Sequence, residues 1–231
     1  MITLGIETAT TVCSVGLSNG EEVLAVQAGP PGRQHSERLL LTIDAALAEA
    51  DLHRRDLQAL AVSAGPGSFT GLRIGLSTAK GVALGADLPL TLVSTLKGLA
   101  ANLAEPHAQR VCPMLDARRD LVYAGIYRVE GDALDTIVED AALAIDRVIE
   151  DSVDSTVFVG EGAVKFEDRL RQISGARIAP AGLGVPDGGT IARLGARQVL
   201  AGDIVDTDKA EPNYCRASQA ERERAKQSND G

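Results

Sequence analysis

Two short segments hold the residue types best suited to chemistry. Ile6-Glu7-Thr8-Ala9-Thr10 ends an apolar run on a carboxylate and follows it with hydroxyls. Glu7, Thr8 and Thr10 could hold Mg²⁺ or receive phosphate oxygens; the other reading is a strand end whose threonines close a turn. Gly65-Pro66-Gly67-Ser68-Phe69-Thr70-Gly71 lies between a strand-like and a helical run, so its amides could face an anion. It lacks the Gly-Lys pair of a Walker loop, and Thr70 stands where a dinucleotide fingerprint needs its third glycine. A tight strand-to-helix turn and a phosphate or partner contact remain open for it. Ala117-Arg118-Arg119-Asp120 sets two arginines in a turn, where they could clamp phosphate or carboxylate or simply be solvated.

Other chemistries find little support. His35, His53 and His107 share no helical i, i+4 spacing, and no cysteine neighbours them at ligand distance. There is no Gly-x-Ser-x-Gly elbow. His35 heads a helix beside Ser36 and Glu37, a capping or surface position. Cys13, Cys112 and Cys215 are odd in number and far apart, which points to a reducing compartment. With 23 Lys and Arg against 32 Asp and Glu, the net charge is −9, so the chain is not expected to hold a phosphate backbone unaided. Three Phe, three Tyr and no Trp argue against a base-stacking platform. The start, Met1-Ile2-Thr3-Leu4, has no basic leader, and no stretch reaches the roughly 20 apolar residues of a membrane helix. A cytoplasmic protein is expected.

The elements that must position these residues follow from periodicity. Strands are expected over 2–6, 12–17 and 21–27, the last two joined by the Asn19-Gly20 hairpin signal. A helix follows over 36–50, a strand over 57–64, a helix over 72–86, a strand over 90–93 and a helix from a Ser94 N-cap to 104. Glu105-Pro106-His107 reads as a boundary. Beyond it come strands over 111–115, 121–129 and 156–159 and helices over 164–173 and 190–200. Each half runs strands first and helices after, which predicts two related α/β lobes over 1–106 and 107–211. Residues 212–231 form a C-terminal segment, polar after Tyr214 and expected to be largely disordered.

The helix over 72–86 is apolar nearly all round, and Gly71, Gly75 and Ala79 form a stripe of small residues. Such a helix is buried or sits at an interface. The preceding helix, with Leu39, Leu40 and Ile43, covers only part of it. Contact with a second subunit through this pair is therefore expected.

Several segments together resemble one family: Ile6-Glu7-Thr8-Ala9-Thr10 with Ser14-Val15; Gln34-His35-Ser36-Glu37; the run from Ala64 through Gly-Ser-Phe-Thr-Gly-Leu-Arg to Gly75; Asp116-Ala117-Arg118-Arg119 with Val122-Tyr123; and Pro212-Asn213-Tyr214 with Arg216. In this order they are similar to the TsaB (YeaZ) family of glycoprotease-like proteins. The resemblance implies a two-lobed actin/Hsp70/sugar-kinase fold. It implies a non-catalytic paralogue of TsaD that works with TsaD and the ATPase TsaE in threonylcarbamoylation of adenosine 37 in tRNAs reading ANN codons. Thr95 and Leu99 stand where TsaD carries metal-binding histidines, so no metal site is expected. Partner contacts carried over are His35, Ser36, Leu39, Leu40, Ile43, Gly71, Leu72, Gly75 and Ala79. The resemblance implies a heterodimer with TsaD or a homodimer, tRNA contacted only indirectly, and no resident cofactor beyond ATP or ADP with Mg²⁺ at a partner interface. The rival is a nucleotide-dependent ATPase or phosphotransferase of the same fold, with Glu7, Thr8 and Thr10 facing Gly160-Glu161-Gly162. A protease is the third reading.

Overall fold

Ile2-Thr3-Leu4-Gly5-Ile6-Glu7 is buried along almost its whole length, as a strand covered on both faces must be. A computed structural model describes residues 1–30, 32, 35–103, 109–131, 133–152 and 155–215, with the side chains of 35–37 outside the description. This run is β1 (Ile2–Glu7), the centre of a five-stranded sheet with β2 (Ser14–Asn19), β3 (Glu22–Ala28), β4 (Ala59–Ser63) and β5 (Leu90–Val93), in the order β3-β2-β1-β4-β5. β1, β2 and β3 are antiparallel neighbours, while β1–β4 and β4–β5 are parallel. The second sheet repeats the plan. β6 (Gln109–Asp116), β7 (Leu121–Glu130), β8 (Ala133–Ala144), β9 (Val157–Val159) and β10 (Arg177–Ile178) run in the order β10-β9-β6-β7-β8, with the same antiparallel and parallel pairings. This is the expected pair of related lobes.

Helices α1 (His35–Glu49) and α2 (Phe69–Ala86) share one face of the first sheet. Leu39, Ile43, Ala46, Leu76, Ala79 and Ala83 of these helices pack with Leu4, Ile6, Leu60 and Val62 in one core. Helix α3 (Thr95–Ala101) packs on the second sheet through Leu96 and Leu99. The far side of that sheet takes α4 (Ile145–Asp151), α5 (Glu161–Lys165) and α6 (Glu167–Leu170). Among the described residues no helix is long and apolar enough to cross a membrane.

The structure corrects several expectations. Ser68 caps α2, accepting the Gly71 N–H, so the helix starts at Phe69 inside the glycine segment. The helix expected over 164–173 is two short ones that break at Phe166. β8 and α4 were not expected. The last helix, α7 (Gly188–Leu200), does not join the second lobe: it lies across β1, β2 and β4 of the first sheet, on the face opposite α1 and α2. The lobe assigned to 107–211 therefore returns residues 188–211 to the first lobe. The expectation of disorder after 215 lies outside the described residues, whereas 212–215 are described and bonded to the first lobe.

Glycines let α7 come so close. A Cβ on Gly5 would stand 2.1 Å from Gly188 O, and one on Gly16 would stand 2.1 Å from Gly189 N. A Cβ on Gly195 would meet Ala61 Cβ at 2.1 Å. Backbone meets backbone at the first two positions, so no side-chain rotation relieves a clash. Gly16→Ala should lose at least about 2 kcal/mol of unfolding free energy in urea titration. Gly182→Ala, whose Cβ meets nothing within 4 Å, should leave the midpoint unchanged.

Candidate functional site

Glu7 ends β1 and has no exposed surface. Its Oε1 accepts the Ala9 N–H at 2.6 Å, while Oε2 has no hydrogen-bond partner. The Ser63 hydroxyl approaches the carboxylate without completing a bond. Burial pushes the Glu7 carboxyl up to about 7, against the Ser63, Ala9 and Thr10 donors. Thr8 is also fully buried, and its hydroxyl donates to Gly71 O at 2.9 Å. Thr10 is half-buried and its hydroxyl bonds locally to Val12.

The glycine segment closes over this turn. Ser68 N–H donates to Ala9 O at 2.6 Å. A Cβ on Gly67 would stand 2.4 Å from Ala9 O, one on Gly71 2.0 Å from Thr8 O, and one on Gly75 2.2 Å from Thr8 Oγ1. Gly65, at φ +117°, would press a Cβ to 2.4 Å from Asn213 O. The motif's glycines therefore permit close packing of the chain on itself, which is the tight-turn reading. Opposite, Gly160 has φ +105°, and its Cβ would meet Met114 O at 2.3 Å. Glu7 and Thr8 are sealed from solvent and the Thr8 hydroxyl is engaged, whereas Thr10 alone of the three reaches the surface. Thr95 and Leu99 are fully buried, Leu99 in the core of the second lobe. Among the described residues no three His, Cys, Asp or Glu side chains gather as metal ligands. Arg118, Arg119 and Asp120 form an exposed turn of three left-handed residues at φ 65°, 54° and 59°.

The expected contact residues divide sharply. Gly71, Leu72, Gly75 and Ala79 of α2, with Leu39 and Ile43 of α1, are buried in the chain itself. Among the described residues proposed for partner contact, only Leu40 is exposed, at 53%. The side chains of His35 and Ser36 lie outside the described residues. The small-residue stripe thus serves the intramolecular seam with Thr8, not a partner, and Gly75→Arg would disrupt the fold rather than an interface. The outward face of α2 is a different stripe, Thr70, Arg73, Ser77, Gly81 and Leu84, and that of α1 includes Leu40 and Leu41. Leu41 and Leu84 are 69% and 61% exposed.

One flank of α2 is covered by the chain's own end. Val205 N–H bonds to Leu90 O at 2.9 Å, at the edge of the sheet. Lys80 Nζ donates to Asp208 O at 2.9 Å and Ala210 O at 3.2 Å. Asn213 N–H donates to Ala64 O at 2.7 Å. Arg73 lies 3.8 Å over the Phe69 ring and donates to the Tyr214 hydroxyl at 3.0 Å, and the two rings meet tilted by 33° with centroids 5.0 Å apart. Phe69, Arg73 and Tyr214, far apart in sequence, thus meet in one cluster.

Sequence reasoning missed a buried polar cluster between the lobes. Ser94, the N-cap of α3, and Tyr127 of β7 both donate to the Asp140 carboxylate of β8. Burial holds the Asp140 carboxyl above its usual range, against those two donors. Only the Ser94 capping signal was readable, because Asp140 and Tyr127 meet through a strand pairing that no local pattern announces. Glu7 gives the clearer test. Its folded-state value lies above the unfolded one, so its contribution is fully present below about 4.5 and lost as pH rises through about 7. Glu7→Gln, which mimics the neutral acid, should stabilise the protein by about 2–3 kcal/mol at pH 8 relative to pH 5 when both are compared with wild type in urea titrations.

The family profile described as TsaD: tRNA N6-adenosine threonylcarbamoyltransferase matches residues 31–223. The tRNA threonylcarbamoyladenosine biosynthesis protein TsaB of Escherichia coli K12 is 33% identical over 222 residues, covering 94% of this chain and 95% of that protein. The solved structure of YeaZ from Pseudomonas aeruginosa superposes with a TM-score of 0.80 at 29% identity, over 92% of this chain and 99% of that one. A ROK hexokinase from Thermus thermophilus, at 13% identity and TM-score 0.50, covers 87% of this chain and 100% of its own, and shares the sugar-kinase fold. With its sealed β1–β2 turn, twin sheets and glycine motif, the chain belongs to the TsaB (YeaZ) family.

Proposed function

We propose that this chain is a scaffold and activating subunit in formation of threonylcarbamoyladenosine at tRNA position 37, without an active site of its own. One observation carries the reading: the crevice at the ends of β1, β4 and β5, where this fold class would bind a ligand, is filled by the chain itself. Glu7 and Thr8 are sealed there, and Thr95 and Leu99 stand as buried residues where a paralogous enzyme would place metal ligands. The relatives' names tie the family to tRNA threonylcarbamoylation.

The partner is a TsaD-type transferase, met through the outward faces of α1 and α2, with a TsaE-type ATPase joining the pair. The same surface could close a homodimer. Leu40, Leu41 and Leu84 supply exposed apolar anchors. Among the described residues, nothing outside the helix's own backbone lies within 4 Å of the Cβ positions of Gly81 and Gly85, so a second backbone can approach. ATP, ADP and Mg²⁺ used by the assembly are held by the partners, and tRNA is met mainly by the partners because this chain carries a net charge of −9. The assembly works in the cytoplasm.

The double variant Leu41→Glu/Leu84→Arg replaces exposed side chains and should keep the melting temperature within about 2 °C, as surface changes do. It should weaken co-elution with the TsaD partner by at least roughly thirtyfold, the loss of one or two interface hot spots. Modification of tRNA by the reconstituted set should fall in parallel. Unchanged co-elution would remove α1 and α2 as the contact.

A further inference from the structure

The structure also carries an unassigned groove on the α7 side of the first sheet. β3 is the outer strand of its sheet. In an antiparallel pair, bonded and non-bonded positions alternate. Gly29 N–H donates to Cys13 O at 2.9 Å, which fixes the phase between β2 and β3. Val15 and Gln27 are then a bonded pair, and the backbone groups of Val26 and Ala28 point away from β2. On the other side of β2, the Gly20 N–H bond to Met1 O sets the phase with β1, and the two phases agree.

Natural sheets protect exposed edges with charge, proline or a bulge. Here Glu21 and Glu22 guard one end of β3, Pro30 and Pro31 follow the other, and a bulge lies at Leu17/Ser18. The stretch Ala25-Val26-Gln27-Ala28 between them carries none of these, and Val26 and Ala28 are exposed. A cavity of about 420 Å³ opens beside this stretch. Val26 and Ala28 form one wall, and Leu183, Val185 and Pro186 the other, with Leu183 and Val185 themselves exposed.

The polar groups of the cavity are already satisfied from within. Asn102 Nδ2 donates to Leu183 O and Val185 O at 3.2 and 2.9 Å, holding the far wall in place. Ser14 Oγ donates to Gln27 O and accepts the Gly188 N–H. Asp187 accepts from the Thr190 amide and hydroxyl and adds a negative charge to the rim. What the groove offers, then, is outward backbone donors and acceptors along a strand, an apolar slot beside them, and carboxylates at Asp187 on its rim and at Glu22 at the far end of β3. A polar small molecule finds few free donors there. An extended backbone matches the spacing, because only a strand supplies paired N–H and C=O groups at that repeat.

We propose that β3 and this cavity form a docking site for an extended peptide segment of a partner protein, apolar at the residue that enters the slot and flanked by Lys or Arg. The segment adds as a sixth strand next to β3. The site is independent of the α1–α2 surface, so its failure would leave that reading untouched.

The test uses the full chain and a capped, fluorescein-labelled Lys-Val-Leu-Val-Lys peptide, read by fluorescence anisotropy. Saturable binding is expected, weakened at least tenfold when the central amides of the peptide are N-methylated and at least tenfold for a Glu-flanked version. Ala28→Pro removes only an outward N–H, so it should keep the wild-type melting temperature and lose binding. Val185→Asp should also lose binding. Lack of saturable binding to wild type would overturn the proposal, as would equal binding of the N-methylated peptide or equal binding to Val185→Asp. The N-methylated peptide and Val185→Asp decide the matter even if Ala28→Pro folds poorly.

Discussion

The contact between the β1–β2 turn and the head of α2 sets most of what this molecule can do. The Thr8 carbonyl and hydroxyl lie where side chains on Gly71 and Gly75 would have to stand. That closeness fixes the rotation of α2 about its axis. It turns Gly71, Gly75 and Ala79 inward and leaves Ser77, Gly81 and Leu84 outward. It also spends the Thr8 hydroxyl on Gly71 O. One seam therefore removes a ligand group from the crevice and selects which face of α2 is turned outward.

The same crevice leaves a carboxylate in an unfavourable setting. Desolvating a charge without a full set of donors costs several kcal/mol, and the usual escape is to hold the proton. Glu7 is met by the Ala9 and Thr10 amides but leaves Oε2 unpartnered, so burial dominates and the carboxyl stays protonated to near neutral pH. Enzymes tune such groups for proton transfer, but only where a substrate can reach them. Glu7 has no exposed surface, so its raised value reads as a stability effect rather than as a catalytic one. Across the lobes, Ser94 and Tyr127 give Asp140 the donors that Glu7 lacks, and that cluster ties α3 to β7 and β8.

Much of the fold was legible in the sequence. Short apolar strands, the Asn19-Gly20 hairpin and the Ser94 cap announced the first sheet and α3, and two strand-then-helix halves announced the twin lobes. β8 stayed hidden because Ala133–Ala144 mixes acidic and small residues with few β-branched ones and is stabilised by pairing with β7. α7 was found, but its partner sheet was not, because the contacts that bring it back to the first lobe, such as those at Gly5, Gly16 and Gly195, join residues far apart in sequence. The burial of Gly71, Leu72, Gly75 and Ala79 within the chain stayed hidden for a related reason. A helix apolar over most of its circumference has little readable orientation, and the contact that orients α2 joins residues more than sixty positions apart. The glycine motif was recognised, whereas its role in packing, shared with Tyr214 and Asn213 from the far end of the chain, needed the three-dimensional arrangement.

The central claim is that the outward faces of α1 and α2 meet a second protein while their inner stripe is sealed by this chain. Hydroxyl-radical footprinting, read residue by residue with and without the TsaD partner, tests both halves together. Leu40, Leu41 and Leu84 should oxidise readily in the isolated chain and become protected on mixing, with Leu39, Ile43 and Leu72 unlabelled throughout. Persistent oxidation of Leu41 and Leu84 in a formed complex, or ready oxidation of Leu72 and Ile43 in the free chain, would contradict the account.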